Sequence, residues 1–309
     1  MQNEKCSIPK FCIGTWQLSD TYWGDQKHSD SLKTIHAAIR EGFTFFDTSP
    51  VYGKGQSEQL LGQQLNKSLE NIIISTKSFV KSPESTIKTL NNSLKRLNRE
   101  YIDIFFIHWP STKLDSRPMM ELLQKMKEDG KIKKIGVSNF NLNELKKIEE
   151  SGKVDIIQNG YNLFWRKEEE YIKYCFNNGI CTQIYSPLGQ GILTGKFARN
   201  SPYLGNDSRH LMLLFDSKNI DKIYNYIETL KEICKKYDTS LYDAVIMWTK
   251  SLYFIDSIVI GCRKRNHVEE LSISSKKSIN ENLVNELTEF SDHIMNNIVG
   301  GTNIFNHSY

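Results

Sequence analysis

Four residues that can move or hold a proton follow one another in the first third of the sequence. Asp47 and Tyr52 stand in an apolar segment that turns at Pro50, Lys77 ends the next apolar segment, and His108 ends the one after that. Taken singly, each has an ordinary structural explanation, such as capping of backbone amides or packing in a core. Together they place a carboxylate, a phenol, an ammonium and an imidazole at three successive segment ends, which indicates proton-transfer chemistry.

These four groups are typical of a general acid for a carbonyl oxygen. A free phenol has a pKa of about 10, which is too high for ready proton donation at neutral pH. A neighbouring ammonium lowers that pKa, a buried carboxylate keeps the ammonium charged, and an imidazole can orient the carbonyl. None of the side chains can deliver a hydride to the carbonyl carbon, so the hypothesis requires a cofactor.

The elements that would position these residues are predicted from periodicity. Short apolar segments alternate with segments of helical spacing, and their uninterrupted apolar character is typical of parallel strands buried on both faces. The predicted strands are 11–16, 44–49, 71–77, 101–109, 134–140, 154–162, 180–187 and 257–262. We therefore predict an α/β fold, a single (β/α)8 TIM barrel spanning residues 1–309 as one domain, in which strand ends share one face.

Two segments depart from this alternation. Residues 188–218 show no clear period, and a connection of that length after the seventh strand is typical of a functional loop. A polar tail, 300–309, is predicted to lie near the active-site face. The alternative fold is an open doubly wound sheet, which would need a glycine-rich phosphate loop after its first strand. Gly14-Thr15-Trp16 does not match such a loop.

Composition narrows the class of protein. The chain has 309 residues, of which 39% are hydrophobic and 25% charged, with a formal net charge of +4. Basic residues are interspersed with acidic ones, which argues against nucleic-acid binding, and no segment is apolar enough for a membrane span or a signal peptide. Six cysteines lack metal-ligand spacing and lie mostly in apolar segments, so we expect reduced, buried thiols, no metal site and a cytoplasmic location.

Beyond these patterns, the sequence resembles the aldo-keto reductases over nearly its whole length. The motifs that carry the resemblance stand in the family's order: 14–16, 46–48, 52–53, 57–58, 75–77, 108–109, 136–140, 158, 161–162, 185–188 and 193–196. The resemblance implies reduction of an aldehyde or ketone with a nicotinamide cofactor in a (β/α)8 barrel. It places the family's catalytic tetrad on Asp47, Tyr52, Lys77 and His108, with Tyr52 as the general acid.

The resemblance also assigns cofactor contacts. Ser138, Asn139 and Gln158 match the residues that hold the nicotinamide carboxamide, and Tyr185 matches the ring that stacks on the nicotinamide. The loop after the seventh strand matches a segment that covers the pyrophosphate. The remaining predicted cofactor residues are Thr15, Trp16, Ser186, Leu188, Lys196, Gly261, Arg263, His267 and Glu270.

The match is weakest at the eighth strand. The family usually has an Asn where this chain has Leu271, and His267 replaces a Gln or Arg near the adenosine. Arg263, Lys264 and Arg265 nevertheless stand where the 2′-phosphate of NADP would lie, and arginine suits phosphate through its forked donors. The competing interpretation of these three residues is a solvated helix start. We expect NADPH (NADP+) rather than NADH as cofactor.

The expected partner is a small carbonyl compound, and the sequence does not specify its identity or the oligomeric state. Trp16, Trp23 and Trp109 would line an aromatic substrate pocket, with Trp23 and Trp109 as substrate contacts, although each could equally be core packing. The loop 18–27 and the tail 300–309 are expected to shape specificity.

Two other functions compete with carbonyl reduction. The first is a regulatory subunit that senses NADP(H) and turns over little; the complete tetrad, with His at position 108, argues against it. The second is a cofactor-free aldolase or isomerase with Lys77 as a Schiff-base lysine. That chemistry needs a lysine of lowered pKa, whereas a charged Asp47 would keep Lys77 protonated.

Overall fold

A computed structural model describes residues 6–19, 21, 23–24, 26–65, 71–197, 207–301 and 303–305. Eight parallel strands form a closed barrel in the order of the chain, so β1 pairs with both β2 and β8. The strands are β1 (Phe11–Gly14), β2 (Phe45–Asp47), β3 (Ile73–Ser78), β4 (Ile102–Ile107), β5 (Ile132–Ser138), β6 (Ile156–Gly160), β7 (Cys181–Tyr185) and β8 (Ser257–Gly261). The predicted (β/α)8 barrel is confirmed. Seven of the eight strands are shorter than their predicted segments, while β5 has the predicted length but begins two residues earlier.

A helix follows every strand, and the connections from strand to helix are longest after β1 and β7. The helices are α1 (His28–Arg40), α2 (Gln56–Gln64), α3 (Pro83–Leu97), α4 (Arg117–Glu128), α5 (Leu142–Glu149), α6 (Glu169–Asn177), α7 (Ile220–Lys236), α8 (Leu241–Ser251), α9 (Arg265–Lys276) and α10 (Glu281–Ile294). Helix ends follow local sequence signals. Ser82 caps α3 ahead of Pro83, and Asn141 forms a capping box with Glu144 at the start of α5, as predicted.

The apolar residues form two clusters because neighbouring strand residues point to opposite faces. Phe45, Ile104, Phe106, Ile156 and Val259 belong to a small cluster inside the barrel. The alternate strand positions, such as Phe46, Phe105 and Ile157, join a much larger cluster with the surrounding helices. This double burial explains why the strands read as uninterrupted apolar segments.

The segment before β1 is attached to the inside of the barrel by a disulfide between Cys6 and Cys181, the first residue of β7. The expectation of six reduced thiols is therefore wrong for this pair, while Cys12, Cys175, Cys234 and Cys262 are free and buried. The two cysteines are 175 residues apart in sequence, so no spacing motif could reveal their contact.

Among the described residues, the one group of metal-ligand atoms that lie close together is Cys6, Cys181 and Asp256, and the disulfide occupies both sulfur atoms.

The long connection after β7 contains short 3-10 helices at Gly189–Thr194, Ser208–Leu211 and Leu213–Phe215. Residues 198–206 of this connection, residues 20, 22 and 25 of the loop after β1, and residues 302 and 306–309 of the tail lie outside the described part of the chain. Within that described part, no helix is long and apolar enough to cross a membrane.

Candidate active site

The carboxyl ends of the strands surround a cavity of about 590 Å³, a size typical of small-molecule sites. Of the residues predicted to act on the substrate or the cofactor, all except Lys77 and Arg265 line it. The lining includes Asp47, Tyr52 and His108; Trp23 and Trp109; and the predicted cofactor residues Thr15, Trp16, Ser138, Asn139, Gln158, Tyr185, Ser186, Leu188, Lys196, Gly261, Arg263, His267 and Glu270. The topology thus brings together residues separated by more than two hundred positions.

Lys77 lies behind the cavity wall and contacts Asp47 directly. Its Nζ atom is 2.5 Å from Asp47 Oδ2 and donates a second hydrogen bond to the carbonyl oxygen of Thr48 at 2.9 Å. The side chains of both charged residues are almost fully buried, with exposed fractions of 1% and 5%. A buried pair of this kind is stable only when the remaining polar atoms are also satisfied.

Two further donors satisfy the carboxylate of Asp47. Ser75 Oγ and Gln158 Nε2 donate to Oδ1 at 2.7 and 2.9 Å. Asp47 therefore accepts hydrogen bonds through both of its carboxylate oxygens. This arrangement indicates that Asp47 holds Lys77 in place, while Tyr52 presents its phenol at the cavity wall.

Tyr52 begins a 3-10 turn, Tyr52–Gly55, and its ring faces the other candidate catalytic groups. Lys77 Nζ lies 5.2 Å from the centre of the Tyr52 ring. The ring of His108 meets it edge to face at 6.2 Å. The tetrad predicted from three separate strand ends is thus assembled at one place.

His108 is neutral at physiological pH because its surroundings disfavour the charged form. Burial and, secondarily, the positive charge of Lys77 hold the pKa of His108 well below 6.5. Phe79 stacks on the imidazole at 5.0 Å between ring centres, and Asn139 Nδ2 donates to the His108 carbonyl oxygen at 3.0 Å. A neutral imidazole in this position can orient a carbonyl without carrying its proton.

An amide network lies beside the tetrad. Tyr185 donates its hydroxyl proton to Asn139 Oδ1 at 2.6 Å, and Asn139 Nδ2 also donates to Ser138 Oγ at 3.0 Å. Asn139 and Ser186 both adopt left-handed backbone conformations, with φ of 64° and 57°. Such conformations cost energy in residues other than glycine and often occur at functional sites. The predicted carboxamide and nicotinamide contacts are therefore neighbours.

The far end of the cavity is strongly positive. Lys196, Arg263 and Lys264 surround His267, and burial together with these cations lowers the pKa of His267 to about 4. The pKa of Lys196 is likewise lowered, first by burial and then by the charge of Arg209. Arg209, Arg263 and Lys264 thus disfavour the charged form of Lys196, and an anion bound among them would relieve this repulsion.

Arg265 does not belong to this group, contrary to the sequence-based expectation for the trio 263–265. It does not line the cavity, and its guanidinium pairs with Glu269 one turn along α9 at 2.7 Å. Of the three basic residues, Arg263 and Lys264 face the cavity because they precede the helix, while Arg265 begins it.

Arg209 lines the same end of the cavity and was missed by sequence reasoning. Its guanidinium lies between the rings of Trp23 and Phe197, at 5.0 and 4.9 Å, and pairs with Asp207 at 2.7 Å. Trp23 and Asp207 also form an isolated antiparallel bridge, which ties the loop after β1 to the loop after β7. No local pattern marks Arg209, because it stands in the aperiodic connection.

Phe305 also lines the cavity; it belongs to the tail that was predicted to lie near the active-site face, although no sequence pattern singles out this residue. It packs parallel to Tyr185 at 5.6 Å and edge to face with Trp16 at 5.6 Å. Trp109 lies 6.1 Å from the same ring. The predicted aromatic pocket is therefore present in the structure, and the tail completes it.

Comparisons with known proteins agree with the barrel fold. A family model for the Aldo/keto reductase family matches residues 10–292, so the chain belongs to that family. It is an NAD(P)H-dependent oxidoreductase. Aldo-keto reductase YhdN from Bacillus subtilis is 29% identical over 93% of this chain and 91% of its own length.

Two other relatives show how diverse the family is. The NADH-specific methylglyoxal reductase of Escherichia coli is 30% identical over 85% of this chain and 89% of its own length. The structure of a glycerol dehydrogenase from Gluconobacter oxydans superposes with a TM-score of 0.82 at 27% identity, covering 94% of this chain and 95% of that one. The fold and the family are shared, while the substrates for which the two relatives are named, methylglyoxal and glycerol, differ.

Proposed function

We propose that the protein reduces an aldehyde or ketone to an alcohol with NADPH, and that Tyr52 is the general acid. The observation that carries the proposal is the buried Asp47–Lys77 pair beside the phenol at the cavity wall. Tyr52 gives its proton to the carbonyl oxygen, Lys77 stabilises the phenolate that remains, and neutral His108 orients the carbonyl. Asp47 keeps Lys77 charged and in position.

The residues present fit a nicotinamide dinucleotide. Ser138, Asn139 and Tyr185 supply polar atoms and a ring at the tetrad end, while the opposite end is positive. When bound, the nicotinamide supplies the hydride that no side chain can provide. The distribution of polar and cationic groups matches a molecule with an amide at one end and phosphates toward the other.

NADPH is favoured over NADH by the cations at the adenosine end. Family membership does not decide the coenzyme, since the Escherichia coli relative is named for NADH. Arg263 can give a phosphate a forked pair of donors, and Lys264 and Lys196 add positive charge nearby.

Replacement of Arg263 tests the coenzyme preference. We expect Arg263→Met to weaken NADPH binding by roughly 10–100-fold, the range for a lost hydrogen bond to a charged group, and to leave NADH binding almost unchanged. Arg265→Met is the matched control, because Arg265 pairs with Glu269 outside the cavity. Titration of nicotinamide fluorescence measures both affinities. Equal losses for the two coenzymes would contradict the proposed phosphate contact.

The substrate is proposed to be an apolar or ring-bearing carbonyl compound. Trp16, Trp109 and Phe305 form the wall around Tyr52, and aromatic rings bury apolar groups effectively. Such a small carbonyl compound is the proposed partner of the protein. The cytoplasmic location stays a prediction.

Turnover of a carbonyl panel tests the function. The purified protein is mixed with NADPH and aliphatic or aromatic aldehydes while nicotinamide absorbance is followed, and we expect aromatic aldehydes to react best. Tyr52→Phe should lower kcat by about 10²–10⁴-fold, the usual contribution of general acid catalysis, with NADPH affinity nearly intact. Activity that survives this change would contradict the role of Tyr52. Tight NADPH binding without turnover of any aldehyde would favour the regulatory alternative.

A further inference from the structure

The amino ends of β7 and β8, on the face of the barrel opposite the catalytic cavity, bring three metal-ligand groups together. The sulfur atoms of Cys6 and Cys181 and one carboxylate oxygen of Asp256 lie within 4.8 Å of one another. Cys181 is the first residue of β7, and Asp256 immediately precedes β8. The two sulfur atoms form a disulfide in the structure, so this group can hold a metal ion only after the disulfide is reduced.

The sheet itself holds two of the three ligands in place. Thr182, which follows Cys181 in β7, donates its backbone N–H to Asp256 Oδ2 at 2.8 Å. The backbone N–H of Asp256 donates in return to the carbonyl oxygen of Thr182 at 2.9 Å. Reduction of the disulfide breaks neither hydrogen bond, so the carboxylate of Asp256 stays beside the sulfur of Cys181.

The segment that carries Cys6 is attached to the same part of the barrel without help from the disulfide. Ser257 Oγ donates to the carbonyl oxygen of Pro9 at 2.9 Å, and the backbone N–H of Ile258 donates to the carbonyl oxygen of Lys10 at 2.8 Å. Cys6 also packs against the small cluster inside the barrel and is half-buried. The third ligand therefore remains close to the other two, and an ion can reach it from solvent.

The ligand types and their charges suit a zinc ion. Thiolates are soft ligands that favour zinc over magnesium or calcium, and three protein ligands leave the fourth position of a tetrahedral zinc site to water. Two thiolates and a carboxylate carry three negative charges, of which a divalent ion offsets two. The ammonium of Lys10, which interacts with Asp256, offsets the remaining charge.

We propose that Cys6, Cys181 and Asp256 bind a zinc ion in the reduced protein, and that this ion holds the segment before β1 to the barrel as the disulfide does in the oxidised protein. A dithiol reductant gives two hydrogen atoms to the disulfide, becomes a disulfide itself and leaves two protein thiols. Zinc binding then releases both thiol protons to solvent, and no further electron transfer is required. Spacing alone argued against a metal site, because 175 residues separate the two cysteines.

Cobalt binding tests the site, because Co²⁺ can replace Zn²⁺ and its thiolate complexes absorb in the near ultraviolet. The full chain is reduced with a phosphine, which competes less for metal ions than a dithiol does, and circular dichroism checks that it stays folded. We expect one Co²⁺ per chain, a thiolate-to-cobalt absorption band, and displacement of the cobalt by one equivalent of Zn²⁺. The oxidised protein should show no such band.

Two aspartate variants isolate the third ligand. Asp256→Asn keeps an acceptor for the backbone of Thr182 but removes the anionic ligand, so it should weaken metal binding about tenfold or more. Asp155→Asn is the matched control. Asp155 immediately precedes β6, and its Oδ2 accepts from the backbone N–H of Ile135 at 2.8 Å, yet it belongs to no group of metal-ligand atoms in the described part of the chain.

Zinc at roughly a hundredfold excess over its Kd should also raise the thermal midpoint of the reduced protein by about 5 °C. Asp155→Asn should show the same rise and Asp256→Asn a smaller one. A reduced protein without the thiolate-to-cobalt band would overturn the proposal, as would loss of the fold on reduction or equal metal affinities of the two variants. If Asp256→Asn does not fold, Cys6→Ser decides, and a band of undiminished strength in that variant would overturn the site.

Discussion

At the scale of single residues, Asp47 links the two halves of the site. Its carboxylate accepts from Lys77 on the proton-transfer side and from Gln158 on the amide side. Gln158 in turn donates to Gln183 Oε1 at 2.7 Å, so the polar atoms at the top of the barrel form one connected network. Such a network fixes side-chain positions, because each member lost leaves a buried polar atom unsatisfied. The site is therefore organised before any ligand binds.

His108 leads to a prediction about pH. Its pKa in the folded protein lies well below 6.5, whereas in the unfolded chain it is near that ordinary value. Between these two values the unfolded state binds the extra proton, so stability is lost as the pH falls below about 6.5. Between neutral pH and pH 5, protonation of His108 in the unfolded chain should lower the free energy of unfolding by up to about 2 kcal/mol.

The variant His108→Asn, which cannot titrate, isolates this contribution. Urea unfolding at pH 7 and pH 5 should show a smaller loss of stability for His108→Asn than for the unmodified protein. Other groups, including His267 with its pKa of about 4, titrate in both proteins and cancel in the difference. Equal losses would show that folding does not lower the pKa of His108.

At the scale of elements, the turn that carries Tyr52 depends on glycine. In Tyr52–Gly55, Gly53 has a φ of 58°, and a Cβ atom there would lie 2.5 Å from Ser19 Cβ. We expect Gly53→Ala to lower stability by more than the roughly 1–2 kcal/mol that a left-handed conformation costs a residue with a Cβ, and to lower kcat as Tyr52 moves. Thermal unfolding and steady-state kinetics measure the two effects.

Gly130→Ala is the control for this change. Gly130 has a comparable φ of 70°, but no atom lies within 4 Å of a Cβ placed there. It should therefore show the backbone cost alone, with kcat unchanged. If the two variants lose equal stability and keep full activity, the close contact with Ser19 does not position Tyr52.

The connections after β1 and β7 act as one element, although they are far apart in sequence. The bridge between Trp23 and Asp207 joins them, and Arg209 packs between Trp23 and Phe197. Together they form one wall of the positive end of the cavity. The predicted role of the aperiodic loop in covering a dinucleotide thus gains a physical basis, since the loop has a fixed point of attachment.

At the scale of the whole molecule, the disulfide ties the segment before β1 to β7 across most of the chain. Cross-links that close long loops restrict the unfolded state strongly, and natural disulfides commonly contribute about 2–4 kcal/mol. We expect dithiothreitol to lower the thermal midpoint of the unmodified protein and to leave Cys6→Ser unaffected. Cys234→Ser, which removes a free thiol, should still respond to the reductant. An unmodified protein without any response would show that Cys6 and Cys181 are reduced in solution.

The sequence by itself determined the barrel and most of its site. Strands buried on both faces must be apolar throughout, and their ends must meet on one face, so Asp47, Lys77 and His108 could be placed together from their positions at strand ends. The starts of α3 and α5 could also be predicted, because capping by Ser82 and Asn141 depends only on residues within one turn of the helix start. The sequence did not supply the distances between the residues of the site.

The tertiary structure alone decided the contacts made by segments without periodicity. Arg209, Phe305 and Cys6 stand in loops or near the ends of the chain, where side-chain direction follows from distant packing rather than from a repeat. The separation of Arg263 from Arg265 depends on where α9 begins. A second cavity, lined by Lys77, His108 and residues of α3, depends on how α3 lies against β3. Periodicity fixes which face a residue takes within its own element, whereas the spaces between elements exist only once the barrel has closed.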